Sequence, residues 1–251
     1  MEFYISAILL GILEGVTEFL PVSSTGHLIL LSHFLDFAMN ESETFTISIQ
    51  LGAIFAVVFL YWSFFKSFFH PRHWISNQMK VIVSAIFPVL TLGFFFHSLI
   101  KSLFSPTVVL VGLTLGSLFM LIVELVIRPK PEVRDIDQIT PDHAFIIGLS
   151  QCFSLMPGFS RSGATIVGGL FAKLDYETSA KFSFIIAVPV MLAAVSYDLI
   201  KTSSLLSFHD LQLIGIGFLV SFIVAIFSIV TFLKLLVRVK LWPFAIYRLG
   251  L

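Results

Sequence analysis

Charge is what this sequence has least of. Only 12% of its 251 residues are Asp, Glu, Lys or Arg, against about a quarter in a soluble globular domain. The stretches 45–65 and 81–100 contain none of the four. That scarcity excludes an ordinary solvated surface. The formal net charge is zero and no basic run is long enough for a phosphate backbone, which excludes nucleic acid as a partner. The single cysteine, Cys152, excludes an internal disulfide and leaves the compartment open. No Lys or Arg precedes Lys66, and Glu14 and Glu18 interrupt the first apolar run; both features argue against a cleaved signal peptide.

What the chain has in abundance is apolar. Hydrophobic residues make up 57%, 29 of them Phe, and the mean hydropathy is +1.01. The uncharged runs match the roughly 20 residues needed to cross a bilayer. The expected fold class is an all-α integral membrane protein. Full-length runs lie near 45–65, 81–100, 107–127, 182–200 and 211–233, giving about five to six spanning helices.

Two regions depart from this pattern. In 3–37 an apolar arm runs to Leu20, breaks at Pro21 and resumes from His27 to Phe37. In 142–172 an arm runs to Met156, breaks at Pro157-Gly158 and resumes to Phe171. Each second arm, about 17 Å of helix, is too short for about 30 Å of hydrocarbon. A broken helix with a short return arm predicts a re-entrant hairpin, tolerated where protein or a wet cavity surrounds the break.

The two regions also align. Gly11-Ile-Leu-Glu14 corresponds to Gly148-Leu-Ser-Gln151, and Phe45-Thr46-Ile47-Ser48 to Phe182-Ser183-Phe184-Ile185, with one shared register. The expectation is an internal duplication. A first repeat, 1–128, contains the hairpin 3–37 and three spans; a second, 140–251, contains the hairpin 142–172 and two or three spans. Positive charge orients them. Lys66, Arg72 and Lys80, then Arg128, Lys130 and Arg134, then Lys173 and Lys181, then Lys234, Arg238 and Lys240 fall on one side, read as cytoplasmic; Lys101 and Lys201 fall on the other. Three spans separate the hairpins, so the second half is inverted. This is the plan of many transporters, with a site where broken helices meet at the midplane.

The chemistry concentrates in the two breaks. Glu14 and Glu18 share one helix face, and intramembrane carboxylates mark a functional cavity. They suit a base, a proton carrier, or ligands for Mg²⁺ or Ca²⁺; a purely structural pair is the bland alternative. Ser23, Ser24 and Thr25 follow the first break. Ser160, Arg161 and Ser162 follow the second, with Thr165 one turn on. Capping explains one or two of these hydroxyls. It does not explain Arg161, whose planar fork suits phosphate, although a salt bridge to Glu14 or Glu18 alone would also occupy it. Two converging helix N-termini add an anion site. His27, one turn after Ser23 and Ser24, is a base, acid or nucleophile if it reaches a serine, and otherwise a packing residue. Gln50 and Asp198 receive no assignment.

These residues resemble the undecaprenyl pyrophosphate phosphatase family of the bacitracin-resistance type. The resemblance rests on LGILEGVTEFLPVSSTGHLIL (10–30), IQLGAI (49–54), PGFSRSGATI (157–166) and PFAIYR (243–248). It implies a bacterial inner-membrane hydrolase that converts undecaprenyl pyrophosphate to undecaprenyl phosphate, the lipid carrier of cell-wall precursors. Its acidic motif falls on Glu14 and Glu18, followed by Ser24 and His27, and its arginine motif on Ser160, Arg161, Ser162 and Thr165. A divalent cation, Mg²⁺ or Ca²⁺, and a site open to the periplasm are implied as well. Family members usually continue past PFAIYR through a final apolar span, whereas this sequence stops at Leu251.

In that reading Arg161, Ser160, Ser162 and Thr165 hold the pyrophosphate. Glu14 and Glu18 bind the cation or relay protons. Ser24 attacks with His27 or Glu18 taking its proton, or else Glu18 or His27 activates water. The alternative is a transporter or flippase for an anion or a polyprenyl phosphate. The partners are the lipid substrate and the bilayer, and a homodimer is compatible. All of this requires the acidic turn and Arg161 to face each other across one pocket.

Overall fold

The computed structural model describes residues 2–35, 42–70, 74–103, 105–128, 130–202 and 207–251. Arg72, used above for orientation, lies outside them. The elements are α1 (Glu2–Thr17), α2 (Ser24–Phe34), α3 (Ser42–Leu60), α4 (Trp62–Ser67), α5 (Asn77–Phe95), α6 (His97–Ser102), α7 (Pro106–Leu121, prolonged by a π-helix Ile122–Ile127), α8 (Pro141–Gln151), α9 (Arg161–Phe171), α10 (Tyr176–Thr202), α11 (Phe208–Val239) and α12 (Trp242–Gly250). Among the described residues four helices are long and apolar enough to cross a membrane, at 77–95, 106–127, 176–197 and 208–239; α1 and α3 supply shorter apolar helices. The fold is all-α and membrane-associated.

Several boundaries differ from the apolar runs. The run 45–65 breaks at Tyr61, between α3 and α4, and the run 81–100 breaks at Phe96, between α5 and α6. Both break residues are aromatic and carry no Gly or Pro signal, so hydropathy passes through them unchanged. The arm expected to reach Met156 leaves α-helical geometry at Gln151 and tightens into a 3₁₀ turn, Cys152–Leu155.

Small residues bring the helices together, as they do where lipid gives no hydrophobic drive between helices. Gly11 and Gly15 of α1 lie against Gly217, Ser221 and Ala225 of α11. Gly52 of α3 backs onto the Phe218 carbonyl of α11, and Gly148 of α8 onto Ala85 of α5. A methyl at any of these glycines would overlap a neighbouring helix. Ser228 of α11 donates to the Val16 carbonyl at 2.9 Å, reinforcing the first contact. Helices distant in sequence are therefore interleaved: α1 lies along α11, α8 along α5, and α12 along α7. A buried core of Phe19, Phe184, Phe232 and Phe244 fills the junction.

At both breaks a helix is followed by an irregular tip and a short helix. The returns α2 and α9 each have 11 residues. Each begins after a serine with left-sided backbone, Ser23 at φ 70° and Ser160 at φ 76°. A non-glycine residue there costs on the order of 1–3 kcal/mol. A strained serine therefore precedes both short helices.

Candidate active site

The two tips meet. Ser162 Oγ donates to the Leu20 carbonyl at 2.9 Å, and Arg161 Nη2 reaches Glu18 Oε1 at 2.8 Å across 143 residues of chain. Between the tips lies a cavity of about 180 Å³. Glu18, Ser23, Ser24 and Thr25 line it from the first tip. Met156, Pro157, Gly158, Ser160 and Arg161 line it from the second, and Gln50 comes from α3.

Glu18 is held from two directions. Its Oε1 accepts from Arg161, and its Oε2 accepts from the Ser24 hydroxyl at 2.6 Å. The backbone produces this arrangement. Glu18 N–H still bonds to Glu14 O at 3.0 Å, so the last turn of α1 carries the carboxylate to the break. The tip at 18–23 then folds back and returns Ser24 beside it. A short O–H···O⁻ contact is the charge-assisted kind, and it directs the Ser24 proton toward a group able to take it.

Arg161 is anchored rather than free. Phe19 lies under its guanidinium at 5.5 Å, Nη1 donates to Ser183 O at 3.4 Å, and Nη2 also touches Met191 Sδ at 3.4 Å. Its Nε–H is buried with no hydrogen-bond partner. One charged donor of this cavity-lining residue is thus left unpartnered inside the protein.

His27 takes the second of its two readings and does not reach a serine hydroxyl. Nδ1 lies 2.9 Å from Ser23 O, and Nε2 lies 2.8 Å from Tyr247 Oη. A carbonyl only accepts, so Nδ1 carries the hydrogen, and in the neutral ring Nε2 accepts from the tyrosine. The two rings also stack, 9° apart in plane. Both nitrogens are occupied, and neither bonds to the Ser24 hydroxyl. His27 fixes the Ser23 turn from behind.

The remaining hydroxyls divide. Ser160 caps α9 by accepting Gly163 N–H at 3.2 Å and lines the cavity. Ser162 and Thr165 are brought near but not to the cavity wall. Ser162 is committed to Leu20 O and Ser160. Thr165 bonds back to Arg161 O at 2.8 Å and to the Ser183 hydroxyl. Ser and Thr inside a helix bond to the preceding turn by default, and spacing alone does not reveal it.

Arg248 and Gln50 are the residues that sequence reasoning left unassigned. Arg248, 2% exposed, donates from Nη2 to Gly158 O at 2.8 Å, Leu113 O at 3.1 Å and Gly112 O at 3.3 Å. It clamps the second tip to α7. Gly158 itself has φ +88° and sits against the Val109 backbone, so a side chain there would be strained and crowded. The available signal for both residues was their place inside the IQLGAI and PFAIYR stretches.

Glu14 is fully buried, and neither carboxylate oxygen has a partner. Buried polar atoms are rarely left so. An orphaned carboxylate one turn from Glu18 fits a divalent cation, since Mg²⁺ uses one or two carboxylates and completes its shell with water and substrate phosphate. Among the described residues no group of three or more His, Cys, Asp or Glu side chains gathers to hold a metal, so substrate oxygens would have to complete the site.

A family model described as Bacitracin resistance protein BacA matches residues 7–251. Proteins named Undecaprenyl-diphosphatase 1 from Bacillus thuringiensis subsp. konkukian (strain 97-27), Bacillus anthracis and Bacillus thuringiensis (strain Al Hakam) are each 44% identical over 254 residues, covering 99% of this chain and 96% of the relative.

Proposed function

The chain belongs to the bacitracin resistance protein BacA family, and from that premise we propose that it is an undecaprenyl-diphosphate phosphatase, releasing phosphate and returning the lipid carrier to cell-wall synthesis. The observation that carries this reading is the Ser24–Glu18–Arg161 chain at one cavity, with contacts of 2.6 and 2.8 Å. Phosphoryl transfer asks chiefly for positioning and charge neutralisation. Arg161, which lines the cavity beside Ser160, holds the terminal phosphate. Ser24 Oγ attacks the terminal phosphorus while Glu18 takes its proton. The bond from phosphorus to the bridging oxygen breaks, and undecaprenyl phosphate leaves. Water then cleaves the phosphoserine, with Glu18 managing the proton in reverse. Glu14 and Glu18 would hold a divalent cation, Mg²⁺ or Ca²⁺, which neutralises pyrophosphate charge when bound. His27 and Tyr247 keep the Ser23–Ser24 turn in place.

The architecture we infer is an inverted internal repeat with two re-entrant hairpins, 1–128 and 140–251. Several correspondences support it, all at the separation that relates Ser23 to Ser160. Glu14 matches Gln151, and both are fully buried with unpaired side-chain polar atoms. Pro106 opens α7 as Pro243 opens α12. The packing of α1 on α11 is mirrored by α8 on α5. The charge bias favours a cavity facing the periplasm of an inner-membrane protein.

A transporter would share this architecture. It has no need of a serine hydroxyl aimed at a carboxylate. Detergent-solubilised protein should release inorganic phosphate from undecaprenyl pyrophosphate. Absence of release from folded protein supplied with Mg²⁺ or Ca²⁺, alongside movement of polyprenyl phosphate in sealed vesicles, would replace the phosphatase reading with the transporter.

A further inference from the structure

A second, larger recess lies away from the tips. It encloses about 780 Å³ where the π-helical end of α7, the start of α10 and the α11–α12 turn converge. Glu124, Arg128, Tyr176, Arg238, Lys240 and Trp242 line it. Gly112, which backs onto Pro157 of the second tip, and Glu124 are twelve residues apart on one continuous helix, about 18 Å of rise. The recess is thus distinct from the cavity between the hairpins.

Its charge is unbalanced. Glu124, 8% exposed, is the acid in the wall, and its oxygens are already committed. Oε2 accepts Leu241 N–H at 2.5 Å and the Tyr176 hydroxyl at 3.4 Å, and Oε1 accepts Trp242 N–H at 3.2 Å. Glu124 therefore fixes the α11–α12 turn and does not pair with the basic side chains. None of the ion pairs formed among the described residues uses Arg128, Arg238 or Lys240. Arg128 donates its Nε–H to Leu125 O at 2.7 Å, which leaves its terminal nitrogens uncommitted among the described residues. Three exposed cations from two helix ends thus surround one space.

The backbone gives a further sign. Arg128 has φ 48° and ψ 57°, and Lys240 has φ 63° and ψ −152°. The second region is nearly reserved for glycine. Two long cationic residues occupy positions where glycine would be less strained, and both line the recess.

We propose that this recess binds the phosphate headgroup of a membrane lipid. The position suits a lipid better than a soluble anion. Trp242, 47% exposed, is the residue type that settles at the water–hydrocarbon boundary. Leu125 and Val239 flank the cations and give an acyl chain an apolar wall. Basic pockets between membrane helices take anionic headgroups on these terms. The inference stands apart from the phosphatase reading, because nothing in it uses Glu18, Ser24 or Arg161.

The test is a thermal-shift titration of the full chain in neutral detergent with dihexanoyl phosphatidic acid, dihexanoyl phosphatidylcholine or inorganic phosphate. It is run in wild type and in Arg161→Ala, which keeps the hairpin cavity out of the signal. Phosphatidic acid should raise Tm in both backgrounds, and phosphatidylcholine should not. R238Q/K240Q should weaken the phosphatidic acid response about thirtyfold, since each basic side chain at a membrane surface contributes about 1 kcal/mol. K66Q/K234Q removes the same charge without touching the recess and should leave the response within about twofold. R128Q, on the other helix, should weaken it in the same direction and serves if the double variant fails to fold. A phosphate response with the same dependence on Arg238 and Lys240 supports the site and extends it to free phosphate. An unchanged response in R238Q/K240Q and R128Q, or equal weakening in K66Q/K234Q, overturns the proposal.

Discussion

Ser24 donates its hydroxyl to Glu18 Oε2 at 2.6 Å, although the break that stops α1 lies between them. The acceptor is a carboxylate whose other oxygen is held by Arg161. This makes Glu18, not His27, the group placed to take the serine proton. Glu18→Gln removes the base and should lower kcat by about 10²–10⁴. Ser24→Ala should lower it at least as far and abolish any acid-stable phosphoenzyme trapped from labelled substrate. Ser24→Ala retaining near wild-type turnover would exclude the covalent step and leave water activated by Glu18.

In the proposed mechanism Arg161 clamps phosphate, and in the structure it holds Glu18. Arg161→Ala should therefore raise KM and lower kcat together, with a combined loss in kcat/KM of about 10²–10³. Lysine should not restore it, because one ammonium cannot reproduce the planar fork that meets Glu18. Full rescue by Arg161→Lys in steady-state kinetics would reduce the role of Arg161 to point charge.

The hairpins were legible because breaking a membrane helix takes Pro, Gly and hydroxyls, which stand out in an apolar chain. The meeting of Glu18 with Arg161 was legible because a charge at that depth needs a partner. The return helices α2 and α9 have 11 residues each, but α2 begins at Ser24, not at His27, and Phe37 lies outside the described residues. What escaped was local hydrogen bonding. Ser162, Thr165 and His27 sit where spacing puts them, yet their polar atoms bond to nearby backbone or, for His27, also to Tyr247. Arg248 escaped because nothing in its own segment says that the carbonyls it serves belong to residues 112, 113 and 158. The breaks at Tyr61 and Phe96 escaped because bulky aromatics read the same inside a span and at its end.

The interleaved packing should be brittle at its closest approaches. Gly52 meets the Phe218 carbonyl backbone, with no flexible side-chain end to move aside. Gly52→Leu should lower stability by about 1–3 kcal/mol, the usual cost of overpacking. Gly215, with open space around it, should tolerate Ala with little change. Thermal unfolding in detergent compares the two, and equal behaviour would contradict the close α3–α11 contact.

Arg248 presents two opposing terms. Its Nη2 donates to Gly158 O at the tip and also approaches Leu113 O and Gly112 O of α7, while Nε and Nη1 are buried without partners. Replacing it by Met removes an uncompensated cation, which is favourable, and strands the Gly158 carbonyl, which costs about 1–3 kcal/mol if it stays dry; Gly112 and Leu113 keep their donors within α7. The two terms offset, so Arg248→Met should change Tm less than a count of lost hydrogen bonds suggests. Function should respond more. Without the clamp, the turn at Gly158 loses its tie to α7, and the cavity wall formed by Met156–Gly158 moves relative to Glu18. The expected result is a kcat reduced about tenfold or more with thermal stability largely kept, since a shift of about 1 Å in a positioned site costs on that scale. Arg248→Lys should recover part of kcat, because one ammonium can still reach a carbonyl of the tip. A variant that loses Tm and kcat in parallel, with no recovery by lysine, would make Arg248 a packing residue and not a positioning one.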